Sequence, residues 1–171
     1  MAGAAYVLVE YLGRDVPTHG PSMRPTIAPN ESVEIDTGAY EDSEPAIGDI
    51  VALQAPSGLR SEGCGVSHPD GSPCPSAEPG YDTIRLIKRI VAGPGDRVAF
   101  TRTGHLVLNG RVQEEPYIIE CPGTCGLPEA VTIPDGHFFV AGDNRPASSD
   151  SRYWGSVPAD SIDGMVELTR D

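Results

Sequence analysis

Seventeen prolines and twenty glycines are spread through this chain of 171 residues, so about one position in five turns or breaks the backbone. Long helices cannot run through such spacing. Proline removes a backbone donor and clashes with the preceding turn, and glycine adds backbone entropy that folding must remove. The pattern excludes a helical bundle or coiled coil and predicts many short strands joined by turns. A bundle of membrane-crossing helices is excluded too, since no stretch nears the ~18–20 consecutive apolar residues that a span requires.

No internal repeat is visible, and the length suits one domain over 1–171 with a small appended lobe. Residues 31–36 alternate as a half-buried strand does, and Ile47 to Leu53 reads as a buried strand entered through Gly48-Asp49. Ile84 to Val91 is the strongest strand, ending at the turn 92–96. Val98–Phe100 and Leu106–Leu108 flank a Thr103-Gly104 turn, and Asn109-Gly110 reads as a hairpin turn. Val131–Ile133 and Phe138–Ala141 are further strands, and only Pro158–Ile162 hints at a helical turn. From Gln54 to Gly80 five prolines, five glycines and two cysteines mark an excursion outside the core. The expectation is a mostly β chain, curved antiparallel sheets or a partly open barrel.

Twelve basic against 25 acidic residues give a net charge of −13. A chain of that sign lacks the cationic surface that phosphate backbones demand, so no nucleic-acid partner is expected, and anionic headgroups repel it. Eleven of the twelve cations are arginine; the one lysine is Lys88.

The four cysteines form two local pairs, Cys64 with Cys74 and Cys121 with Cys125. Their spacing favours local disulfides, which would place the domain outside the reducing cytoplasm. A zinc site of all four thiolates is the rival, although neither pair has the two-residue spacer usual in zinc knuckles. The segment Ala4–Val9 is apolar but is closed by Glu10. It lacks the basic region and the length of a secretory signal.

Chemistry-bearing residues concentrate in three segments. In Gly20-Pro21-Ser22-Met23-Arg24-Pro25-Thr26-Ile27 the prolines stiffen the backbone around Ser22 and keep it out of a regular helix. Taken alone, this octapeptide also fits an ordinary turn serine. In Arg85-Leu86-Ile87-Lys88-Arg89-Ile90-Val91, strand alternation puts Leu86, Lys88 and Ile90 on one face and Arg85, Ile87 and Arg89 on the other. An amine on an apolar face loses hydration as the cation, and its pKa falls from ~10.4 toward neutrality. Guanidinium cannot do the same. A lysine reaching to water at a strand edge is the plainer reading of the same residue. The third segment, Gly142 to Arg152, packs acids, arginines, hydroxyls and an amide into eleven residues after an apolar strand. Its paired signs point to internal ion pairs rather than a solvated loop.

In this order, over about Val16 to Val166, the three segments and Gly48-Asp49-Ile50-Val51 between them resemble the type I signal peptidases, bacterial serine proteases with a Ser/Lys dyad. The resemblance implies a signal-peptidase catalytic core in which 98–137 forms a reduced accessory β-lobe. It implies Ser22 as nucleophile, Lys88 as general base and Ser148 as the hydroxyl orienting the amine. Arg89 with Asp143 and Asp150 with Arg152 are the implied bracing ion pairs. The Ser22 backbone N–H would hold the oxyanion. Gly20 stands where many relatives carry a second hydroxyl donor, so a backbone group or water would have to supply that bond. Val16, Ile27, Leu86 and Ile87 would line pockets for small residues at −1 and −3 of a signal sequence.

The implied partners are signal-peptide-bearing preproteins at the extracytoplasmic face of the bacterial plasma membrane, with no cofactor and no metal. Family members usually carry an amino-terminal anchor, so the membrane is expected to be reached through an anchor or partner outside this chain. The excursion at 54–80 has no counterpart in the resemblance.

The same residues admit three rival readings. A His-based triad would use His19 or His137, but no carboxylate stands in an obvious orienting position. A self-cleaving Ser/Lys repressor would need a DNA-binding partner domain and an internal cleavage site. A catalytically inactive β-domain that binds signal sequences or scaffolds an export complex would have no reason to carry Ser22, Lys88 and Ser148 together.

Overall fold

The computed structural model describes residues 16–57, 73–127 and 129–168. They form eleven strands, β1 (Val16–Pro17), β2 (Ser32–Asp36), β3 (Ile50–Pro56), β4 (Tyr81–Ala92), β5 (Arg97–Phe100), β6 (Leu106–Leu108), β7 (Arg111–Val112), β8 (Val131–Thr132), β9 (His137–Ala141), β10 (Val157–Pro158) and β11 (Ile162–Glu167), with one short helix, α1 (Ser151–Trp154). The larger sheet has the order β1-β2-β11-β3-β4-β9-β10 and the smaller β7-β6-β5-β8. All paired strands run antiparallel, and the sheets do not close into a barrel. The chain is mostly β, as the turn-rich sequence predicts.

Local chemistry explains the elements. Asn109 and Gly110 both take positive φ, 51° and 80°, the two-residue turn whose twist matches that of a hairpin, and they join β6 to β7. The apolar run of β3 reflects its position inside the larger sheet between β11 and β4, with Ile50 to Leu53 all buried. In β4 alternation sends Leu86 and Ile90 into a cluster with Val51, Leu53, Val140 and Trp154, while Ile87 packs on the other side with Met23, Ile27 and Val33.

A third cluster joins the two sheets. Val91, Phe139 and Ala141 from the larger meet Val98, Phe100, Leu106 and Val131 from the smaller, with the Phe100 and Phe139 rings 6.1 Å apart. Phe139 is fully buried there. The expected result of Phe139→Ala is a loss of about 3–5 kcal/mol, or about 10 °C in Tm, from the lost transfer energy and the cavity left behind. Thermal denaturation measures it, and a loss below ~1 kcal/mol would contradict this placement.

Several boundaries differ from those read in sequence. Gln54–Pro56 continue β3 and Ala77 is buried in the core, so both ends of the 54–80 stretch belong to the fold. Residues 58–72 lie outside the described set. Ile47 is exposed on the turn before β3 rather than within the strand. The 98–137 stretch supplies most of the smaller sheet, which begins at Arg97, whereas His137 already opens β9 of the larger one. The turn at 159–161 is a single 3-10 turn, and Ile162 starts β11, a strand between β2 and β3 that the sequence reading missed.

Candidate active site

Two buried side chains fasten the first segment. Met23 and Ile27 insert into the cluster beside β2, and the bonds from Arg24 N to Pro21 O and Ile27 N to Met23 O shape consecutive turns over 21–27. Ser22 is held at the head of these turns, half-buried, and its N–H donates to no group among the described residues. Lys88 lies mid-strand in β4, opposite Val51, and only 3% of it is exposed. Its Nζ lies 3.0 Å from Ser22 Oγ, across 66 positions of sequence, and 3.0 Å from the carbonyl oxygen of Ile87. Burial strips the amine of water and pushes its pKa from 10.5 down to about 8, against the pull of the Asp150 carboxylate and with a smaller push from Arg152.

The loop after β9 braces this pair. Asp143, with no exposure, takes a two-point contact from Arg89, at 2.8 Å from Nε and 2.7 Å from Nη2, and accepts the Thr26 hydroxyl. Asp150 caps α1 and takes a two-point contact from Arg152, both bonds at 2.8 Å. Burial alone would raise the Asp150 pKa. The Arg152 charge and hydrogen bonds, with the Gly142 N–H and the Ser148 hydroxyl, outweigh it and hold the carboxyl below its usual range. Asn144 fastens the loop to the serine segment, its N–H 3.0 Å from Ser22 O and its Nδ2 3.0 Å from Pro21 O. Gly142 is required by close approach, because a Cβ there would sit 2.5 Å from Ser22 O and against Ser148 Oγ.

A family model described as signal peptidase, peptidase S26, matches residues 1–169. This chain belongs to the S26 signal peptidase family. It is similar to the probable signal peptidase I-1 of Synechocystis sp., at 34% identity covering 84% of this chain and 63% of the relative. It is also similar to thylakoidal processing peptidase 1 of Arabidopsis thaliana, at 37% identity covering 84% and 37% respectively. The chain spans less than two thirds of the length of these two curated relatives. A solved signal peptidase I of Enterococcus faecalis aligns with a TM-score of 0.48 and 25% identity, covering 73% of this chain and 98% of that one.

Not every residue singled out in this signal peptidase family member meets the pair. Ser148 is buried, but its hydroxyl acts on the Asp150 carboxylate rather than on the amine, whose other contact is the Ile87 carbonyl. Val16, Ile27 and Ile87 share one cluster, whereas Leu86 packs into another on the opposite face of β4; the four do not form one surface. Ile27 is 2% exposed and is a core residue in this state. Gly20 takes φ +93° with open space where a side chain would stand. His19 is exposed, and the His137 ring contacts the Asp135 carbonyl at 3.0 Å; neither bonds Ser22. Cys121 and Cys125 are bonded, their Cα atoms 6.2 Å apart, and Cys74 is also in a disulfide, while Cys64 lies outside the described residues. So does the amino-terminal segment 1–15. Among the described residues no helix is long and apolar enough to cross a membrane.

Sequence reasoning missed Thr26, Glu115, Tyr117, Asn144 and Arg145. The Tyr117 ring lies 4.2 Å from the Arg89 guanidinium, and Glu115 pairs with Arg145 at 2.7 Å. Thr26, Asn144 and Arg145 stand within segments already singled out, though without a role of their own there. Glu115 sits in an unremarkable Gln-Glu-Glu-Pro run with no local signal.

Proposed function

We propose that this chain carries the catalytic machinery of a signal peptidase, a serine endopeptidase that removes amino-terminal signal peptides from preproteins after small residues at −1 and −3. The observation that carries the reading is the 3.0 Å approach of a buried, water-stripped amine to the Ser22 hydroxyl. A candidate nucleophile within hydrogen-bond reach of a base whose pKa lies near neutrality is the arrangement that acyl transfer requires.

Neutral Lys88 accepts the Ser22 proton as Oγ attacks the scissile carbonyl, and the negative charge on the tetrahedral oxygen is met by the free N–H of Ser22. Collapse breaks the C–N bond, and the ammonium returns its proton to the leaving amine. Water then attacks the acyl-enzyme with Lys88 again as base, releasing the acid and restoring the serine. The buried Ser148 hydroxyl, which favours the Asp150 carboxylate at rest, is the group this reading assigns to hold the amine as it turns between these steps. The Arg89–Asp143 and Asp150–Arg152 pairs fix the loop and the strand that carry the reacting groups. Val16 and Ile87, both half-buried beside the serine turns, are the pocket walls this reading favours for a small −1 or −3 side chain. The place of action is the extracytoplasmic face of a membrane.

Incubation with a peptide containing an Ala-X-Ala site tests the proposal. Mass spectrometry is expected to find one cut, after the second alanine. An uncut peptide, or cuts scattered without regard to small residues, would favour an inactive binding domain or another specificity.

A further inference from the structure

Arg145 is 1% exposed, the most deeply buried arginine among the described residues, and it lies on the loop that holds Ser22. Its Nη2 donates to Glu115 Oε1 at 2.7 Å and its Nη1 to Oε2 at 3.2 Å; Nη1 also bonds the Gly104 carbonyl, and Nε donates to Gly142 O at 3.0 Å. Glu115 is 5% exposed and comes from the connection after β7, on the side of the smaller sheet. Its carboxylate is filled from two further directions. Leu106 N of β6 donates to Oε2 at 2.8 Å, and the Tyr117 hydroxyl lies 3.3 Å from Oε1.

The backbone on either side of the Arg145 side chain leads directly to the reacting groups. Asn144, the preceding residue, donates its N–H to Ser22 O at 3.0 Å. The Arg145 carbonyl accepts Arg152 Nη2 at 2.9 Å, and Arg152 holds the Asp150 carboxylate. A second route runs from Glu115 through the Tyr117 hydroxyl to the ring stacked on Arg89, the residue after Lys88. A displaced Arg145 would therefore shift the backbone of the serine and the charges nearest the amine together. Stability alone does not account for such a pair, because apolar residues of similar volume often replace buried ion pairs without loss. What the charges add is direction, through bonds that an apolar seat cannot make.

We infer that Glu115 is a positioning residue for the Ser22–Lys88 pair, seating Arg145 so that the 142–152 loop holds the serine backbone in register with the amine. The inference rests on the reading of Ser22 as nucleophile and Lys88 as base.

The test uses Glu115→Gln and the double variant Glu115→Met with Arg145→Met, which removes both charges while keeping buried volume and decides the matter if the single variant fails to fold. Turnover is measured on a quenched-fluorescence peptide with an Ala-X-Ala site. The titration of the only lysine is followed by NMR of 13C-lysine-labelled protein, and melting reports the folded fraction. In the folded variant kcat is expected to fall ~10–100-fold with KM within about twofold, as for a misplacement of about 1 Å. The Lys88 midpoint is expected to move upward from about 8, because a loosened loop admits water to an amine still faced by Asp150, Arg152 and the Ser22 hydroxyl. A merely structural role would lower the melting temperature and leave the midpoint in place. Turnover within twofold of the parent in either folded variant, or a rate loss equal to the loss of folded protein at an unchanged midpoint, overturns the inference. Ser22→Ala separates the two readings. If it still cuts, the dyad itself is wrong; if it is dead while the Glu115 variants cut at full rate, only the positioning role falls.

Discussion

Lys88→Arg is expected to lose peptide cleavage by about 10⁴-fold or more, although it keeps the positive charge, because guanidinium cannot give up its proton to become a base. Lys88→Met should be equally inactive and, at neutral pH, more stable than the parent. The sign follows from the pKa. In the folded chain the amine titrates at about 8 and in the unfolded chain at its ordinary 10.5. Below pH 8 the ammonium is charged in both states, so the folded state bears the full desolvation penalty. As pH rises from about 8 to 10.5 the unfolded chain binds the extra proton, and the stability of the parent climbs. The difference between the two values corresponds to about 3 kcal/mol. Denaturation of parent and Lys88→Met at pH 7 and pH 10 should show the advantage of the methionine variant shrinking by most of that amount. An advantage independent of pH would mean that the amine is not buried as a weakened base.

Ser22→Ala is the second large effect. It removes one oxygen, leaves the Met23 and Ile27 anchors in the core, and keeps the backbone bond from Asn144. Folding stability should fall by no more than about 1.5–3 kcal/mol at neutral pH, the range for one hydrogen bond to a charged group. Turnover should fall by about 10⁴-fold or more, as expected when an attacking atom is deleted. Circular dichroism and melting establish the fold, and the peptide assay reads the rate. A Ser22→Ala protein that cuts at the parent's rate would move the nucleophile elsewhere in the chain.

Local rules made part of this molecule legible. Alternation in 84–91 assigns the faces of β4 because each face meets its own apolar cluster, so a register slip would turn Arg85 and Arg89 into the cluster that now takes Leu86 and Ile90. Asn109-Gly110 names its own hairpin, since few residues accept two successive positive φ values. The strand β11 was not legible. Asp163 and Gly164 interrupt its apolar pattern, and its place between β2 and β3 depends on partners more than a hundred positions away. Gln54 to Pro56 were misread because proline counts as a breaker in sequence, whereas Pro56 stands at the end of β3 opposite Tyr81.

The site divides in the same way. A lone lysine among arginines can be noticed in sequence, and so can a serine between prolines. Their meeting is a long-range fact that motif order supplied and spacing did not. Glu115 carries no local mark, because its partner lies 30 residues away on another element and only folding puts the two together.

The amine beside Ser22 is a weakened base, and the chain offers an unusually direct measurement of it. Lys88 is the only lysine, so protein labelled with 13C-lysine gives a single side-chain Cε resonance to titrate. The expected midpoint is at about 8, moving when Asp150 or Arg152 is replaced, since these are the charges that face the amine. A midpoint at the ordinary 10.5 would contradict the role of Lys88 as base, because that amine would be solvated and protonated and could take no proton from the serine.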